Sequence, residues 1–129
     1  MMGPGTKRYV VAAFVVVVLV VVVLGAGRME PPATEPVARG RQVYRALDCG
    51  SCHEPNLFGR RTGPPLDQVG KIAAERRPGS SAAEYLEESL DSPGAYLVAG
   101  YPDVMPRGLT RRLTAPDRDA LIRYLLSLR

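Results

Sequence analysis

Cysteine and histidine are nearly missing from this chain: it has two cysteines and one histidine in 129 residues. Two cysteines cannot build a disulfide framework, so any staple for a small core must come from elsewhere. A structural zinc site takes four ligands, usually Cys or His, and only three such side chains exist. Acidic residues are absent until Glu30, and no charge of either sign occurs from Tyr9 to Gly27. Convincing two-residue alternation is missing as well, so no segment demands a sheet. That removes the βαβ setting in which a Cys-x-x-Cys pair reads as a thioredoxin-like redox site. No internal repeat is present.

Charge excludes a further class. The whole chain carries +4, but Lys7 and Arg8 precede the uncharged run, so the part after Gly27 carries +2 with its signs interspersed. Nucleic-acid binding calls for a basic stripe with motif support, and neither is found.

The uncharged run "YVVAAFVVVVLVVVVLGAG", residues 9–27, spans roughly 28 Å as a helix, close to the hydrocarbon thickness of a bilayer. Valine is a mediocre helix former in water, but lipid leaves a backbone no alternative to internal hydrogen bonding. The reading is one N-terminal transmembrane helix with residues 1–8 cytoplasmic, because Lys7 and Arg8 precede it. The rest then lies on the periplasmic or extracytoplasmic side of the cell membrane. A cleaved signal peptide is the alternative, but the apolar core is long for one and no A-x-A site stands out. Residues 28–36, with three prolines in "MEPPATEP", read as a stiff linker. From Arg28 to Glu35 it reaches at most about 25 Å.

Residues 37–129 read as an all-α domain with long loops. "TEPVARGRQVYRALD" has Thr34 as N-cap candidate, Pro36 in the first turn, and Val37, Val43, Tyr44 and Leu47 near one face. Gly40 inside this helix costs about 1 kcal/mol against alanine, unless another backbone must come close. "SAAEYLEESLDSPG" predicts a shorter helix with Ala83, Leu86 and Leu90 inward. Glu84, Glu87, Glu88 and Asp91 form its solvated face. "TAPDRDALIRYLLSLR" places Thr114 and Asp117 at capping-box spacing before a stripe of Leu121, Tyr124, Leu125 and Leu128. "FGRRTGPPLDQVG" and "DSPGAYLVAGYPDVMPRG" read as turn-rich loops.

Both cysteines and the histidine fall in "CGSCH", residues 49–53. Cys-x-x-Cys-His is the attachment signature of c-type haem. Two thiols three positions apart on a helical turn can form thioethers to one porphyrin edge. The histidine that follows then lies beneath the iron.

In the order "GRQVY", "CGSCH", "GPPL", "YPDVMP", "LIRYLLSL", the chain from Val37 to Leu128 resembles a class I monohaem cytochrome c. The resemblance implies one covalently bound haem c between crossing N- and C-terminal helices. It implies Cys49 and Cys52 as thioether positions and His53 as proximal iron ligand, with the Pro64 carbonyl accepting a hydrogen bond from that histidine. It also implies that Gly40 and Tyr44 cross the last helix near Tyr124, and that Met105 is the second axial ligand. Methionine is also a good core filler, and that competes with the ligand role. "SPGAYLVAGYPDVMP" is similar to cytochrome c domains of membrane respiratory enzymes. Examples are the domain fused to subunit II of caa-type haem–copper oxidases and the monohaem subunit of alternative complex III. The expected function is therefore a non-enzymatic, membrane-anchored electron carrier. Its partners are integral membrane redox subunits or another electron-transfer protein, in a respiratory or photosynthetic complex. A free-standing anchored shuttle is the nearest alternative. A haem peroxidase or gas sensor is the rival from another class, and no distal histidine supports it.

Overall fold

The computed structural model describes residues 4–26 and 35–129, and within its first helix the side chains of residues 9–22. The chain divides into two units, residues 1–31 and 32–129, each taken by itself. The first is helix α1, Pro4–Ala26, on which every described side chain is exposed. Among the described residues no helix is long and apolar enough to cross a membrane. The expected end of the span, Gly27, and residues 28–34 of the linker lie outside the described residues.

The second unit is helical, with no strand among the described residues. Its helices are α2 (Pro36–Ala46), the single turn α3 (Gly50–His53), α4 (Val69–Arg76), α5 (Ala82–Asp91) and α6 (Ala115–Ser127). Two short 3-10 turns, Pro93–Ala95 and Thr110–Arg112, punctuate the rest. The linker expected to run to residue 36 ends earlier, because Pro36 already opens α2, where its fixed φ suits the first turn. Thr34 lies outside the described residues. The cap is Glu35, whose carboxylate accepts from Val37 N at 3.1 Å and Ala38 N at 2.8 Å. Those bonds, Ala38 first, hold its pKa below the usual carboxylate value.

The α2–α6 crossing organises the unit. A Cβ on Gly40 would overlap the Ala120 carbonyl oxygen and lie 2.6 Å from Tyr124 Cβ, so only glycine permits this approach. Around that point Tyr44 and Tyr124 meet edge to face at 5.5 Å. Arg39 reaches Asp117 at 2.7 Å, and Arg41 lies 5.9 Å from the Tyr124 ring. Such aromatic pairs are worth about 0.5–1.5 kcal/mol beyond their burial. Thr114 caps α6 through Asp117 N at 3.3 Å, and Leu121 and Leu125 are buried beneath it. Leu128, the last member of the expected stripe, lies just past the helix as its C-cap.

Helix α4 begins at the end of the stretch read from sequence as turn-rich, residues 58–70, and runs on through residues to which the sequence assigned no element. Val69 and Ala73 bury one of its faces, and its Gly70 amide donates to Leu128 O at 2.9 Å. A Cβ there would lie 2.9 Å from the same oxygen, so the α4–α6 contact also turns on a glycine. Helix α5 opens with a complete capping box between Ser81 and Glu84. Its acidic face is not simply solvated. Glu88 pairs with Arg77, Glu87 with Arg118 at 3.7 Å, and Asp91 accepts from Thr110 Oγ1 at 2.9 Å. These partners come from neighbouring elements, so the face pins α5 to them at the modest strength of exposed pairs.

Candidate haem-binding site

The segment between α2 and α4 builds one wall of the site. Asp48 takes a left-handed φ of 53°, which aspartate tolerates better than most residues, and turns the chain from α2 into α3. Cys49 N then donates to Tyr44 O at 3.2 Å, and His53 N to Cys49 O at 3.1 Å. This one turn carries Cys49, Cys52 and His53. Neither cysteine is in a disulfide, and both are half-buried. Burial pushes the Cys49 thiol up to about 11, keeping that sulfur neutral.

His53 is oriented by the loop after it. Thr62 N and Gly63 N both donate to Cys52 O, at 3.1 and 2.8 Å, folding residues 62–64 back beneath the histidine. His53 Nδ1 lies 2.7 Å from Pro64 O. A carbonyl oxygen can only accept, so Nδ1 carries the proton, and neutral imidazole then presents its lone pair at Nε2. Gly63 is part of this device. A Cβ on it would lie 2.9 Å from His53 Cε1 and 3.0 Å from Nδ1, so only glycine leaves room for the ring. The sequence signal was Gly63 beside Pro64, but sequence reasoning gave Gly63 no role.

The opposite part of the chain, residues 92–110, is irregular but pinned at both ends. Pro93 and Leu109 are buried. Gly108 N donates to Asp91 O at 2.8 Å, and Leu109 N to Leu90 O at 3.0 Å. Tyr85 and Tyr96 meet edge to face at 5.7 Å, and sequence reasoning assigned nothing to this pair. Met105 in this segment is half-buried and packs at the margin of the core.

A cavity of about 280 Å³ gathers these walls, with Cys49, Cys52, His53, Pro64 and Met105 all lining it. The rest of its lining is largely apolar, from Leu86, Leu90, Leu121 and Leu125 among others. No buried polar or charged side chain occurs among the described residues. These features fit a large apolar prosthetic group: two thiols at attachment spacing, an imidazole nitrogen with a free lone pair, and a thioether sulfur on the same cavity. Zinc does not fit, since no cluster of three or more His, Cys, Asp or Glu side chains is found among the described residues.

Fold and site together define a small helical haem protein that holds its cofactor covalently. Compared with known families, residues 37–129 match cytochrome c, and the chain belongs to that family. A search of curated proteins found no match. The protein accordingly binds haem c covalently and serves haem-based electron transfer.

Proposed function

We propose that the protein is a membrane-anchored monohaem electron carrier, working as a subunit of a respiratory or photosynthetic electron-transfer complex. Haem c, when bound, supplies a one-electron ferric/ferrous couple. Cys49 and Cys52 provide its two covalent attachments. His53 would hold the iron through Nε2, with the Nδ1–H bond to Pro64 O fixing the ring and raising its basicity. Met105, on the same cavity, would offer its thioether sulfur to the iron, a ligand type that raises the potential and favours electron transfer over binding of exogenous ligands. The observation that carries this reading is the 2.7 Å His53–Pro64 contact on the cavity that Met105 also lines.

Anchoring is supported by composition and exposure. The uncharged run Tyr9–Gly27 follows Lys7 and Arg8, and the described side chains of α1 are apolar and exposed all round. A helix of that kind needs lipid or a protein partner to cover it. A tether keeps the domain near embedded redox partners and raises its effective concentration there. The short linker and the +2 charge of the exported part favour a fixed neighbour over long-range electrostatic capture. The likeness of "SPGAYLVAGYPDVMP" to cytochrome c domains of membrane respiratory enzymes points the same way.

Purification of the full chain from native membranes in mild detergent tests this. The expected result is stable co-purification with integral membrane redox subunits, and electron transfer within the complex that depends weakly on salt. A solitary monodisperse protein whose turnover falls steeply with salt establishes a free shuttle instead.

A further inference from the structure

The turn that follows the haem-attachment motif exposes more apolar surface than a soluble loop needs. Leu57 is 95% exposed and Phe58 83%. These exceed every other large apolar side chain among the described residues, including Tyr9 on α1 at 79%. The turn beneath them is closed by four hydrogen bonds that involve Asn56. Asn56 Oδ1 accepts from Phe58 N at 2.9 Å and from Arg60 N at 3.0 Å. Asn56 N donates to Arg60 O at 2.8 Å, and Gly59 N to Asn56 O at 2.9 Å. Gly59 closes the turn at a φ of 73°, a conformation that glycine adopts freely.

These four bonds tie the turn to Asn56 and Arg60, while the backbone groups at its very tip stay open to hydration, which suits the hydrated headgroup layer and not the hydrocarbon core. Directly after it come Arg60 and Arg61, both exposed, with no ion-pair partner among the described residues. The nearest acids along the chain are Glu54, which accepts from Tyr44 OH at 3.4 Å at the base of the loop, and Asp67, which pairs with neither arginine. Two apolar side chains at a rigid tip, with two unpaired guanidiniums behind them, match the boundary between acyl chains and anionic headgroups.

We propose that the Asn56–Arg61 turn inserts Leu57 and Phe58 into the headgroup layer of an anionic membrane, with Arg60 and Arg61 on lipid phosphates. This contact holds the haem domain in one orientation at the surface. It builds on the anchored reading, because a tethered domain stays close enough for so small a contact to be occupied.

The test uses the full-length holoprotein with Leu57→Cys. Its own two cysteines are consumed by haem, so the new thiol takes a nitroxide label alone. Ala74→Cys, exposed on α4, is the control. Both are placed in phosphatidylcholine vesicles with or without phosphatidylglycerol. The label at 57 is expected to lose access to a water-soluble relaxant and gain access to oxygen in the anionic vesicles, while the label at 74 stays in water. Adding Arg60→Gln with Arg61→Gln should lower the ratio of inserted to free label about thirty-fold, since each arginine near an anionic surface contributes roughly five-fold.

Equal water exposure at 57 and 74, on vesicles that retain the chain through a carbonate wash, overturns the insertion while leaving the anchor intact. Shielding at 57 that appears only when membrane protein subunits are added also overturns it, and marks the tip as a protein contact. Release of the chain by the wash refutes the anchor instead. A label still buried before that wash keeps the turn as a lipid contact, and a label in water refutes both.

Discussion

Replacing Gly40 by alanine separates two opposite expectations. On an exposed helix the change would stabilise the protein by about 1 kcal/mol through helix propensity. Here the new methyl would overlap the Ala120 carbonyl and come within 2.6 Å of Tyr124 Cβ, and neither is the far end of a flexible side chain. Helices α2 and α6 must part, which loosens the Tyr44–Tyr124 edge contact and the Arg39–Asp117 pair. Overpacking of this kind costs typically 1–3 kcal/mol, occasionally more, and backbone contact places this site at the upper end. Offset by the propensity gain, the net loss is about 2 kcal/mol. For a domain of this size that lowers Tm by roughly 8–16 °C. Thermal unfolding of the holoprotein, followed by far-ultraviolet circular dichroism, reads it directly. An unchanged or higher Tm refutes the close crossing.

Three further outcomes follow from the same geometry. Asp117 is held below its ordinary pKa by its hydrogen bond to Thr114 and then by Arg39, so its contribution is full above the unfolded carboxylate value and is lost as pH falls through the lower folded one. Asp117→Asn should therefore flatten the loss of stability as pH falls below the unfolded carboxylate value, measured by denaturant titration, and cost little near neutrality. Met105→Ala should lower the reduction potential and abolish the weak far-red sulfur-to-iron band of the oxidised protein; an unchanged spectrum and potential would assign the sixth ligand elsewhere. Glu35→Ala should lower the denaturant midpoint, read by chemical denaturation, because two first-turn amides lose their acceptor.

Helices whose apolar stripe is uninterrupted were legible from the residues. Leu121 and Leu125 with Thr114 before them mark α6, whereas the glycine inside "VARGRQVY" read by itself as either an accident or a close approach, and the family resemblance pointed to the crossing at Gly40. Helix α4 was not legible, because Gly70 interrupts its short pattern and the residues before it are rich in turn formers. What holds α4 is tertiary: the Gly70 amide meets Leu128 O, a contact of long sequence separation. The Glu35 cap was hidden because glutamate is not a favoured N-cap, and here it reaches the first-turn amides through its longer side chain. At the site, the spacing of Cys49, Cys52 and His53 carries its chemistry in the sequence. The space that Gly63 leaves for the imidazole, and the self-closed Asn56 turn, appear only once the chain is folded.

The central claim is covalent haem attachment through Cys49 and Cys52. Intact mass spectrometry of the purified protein, after denaturation and acid–acetone extraction, addresses it directly. The expected mass is that of the polypeptide plus one haem, with a Cys49→Ser, Cys52→Ser double variant giving the polypeptide alone. A bare polypeptide mass for the unsubstituted protein, with the haem recovered in the organic phase, would contradict it.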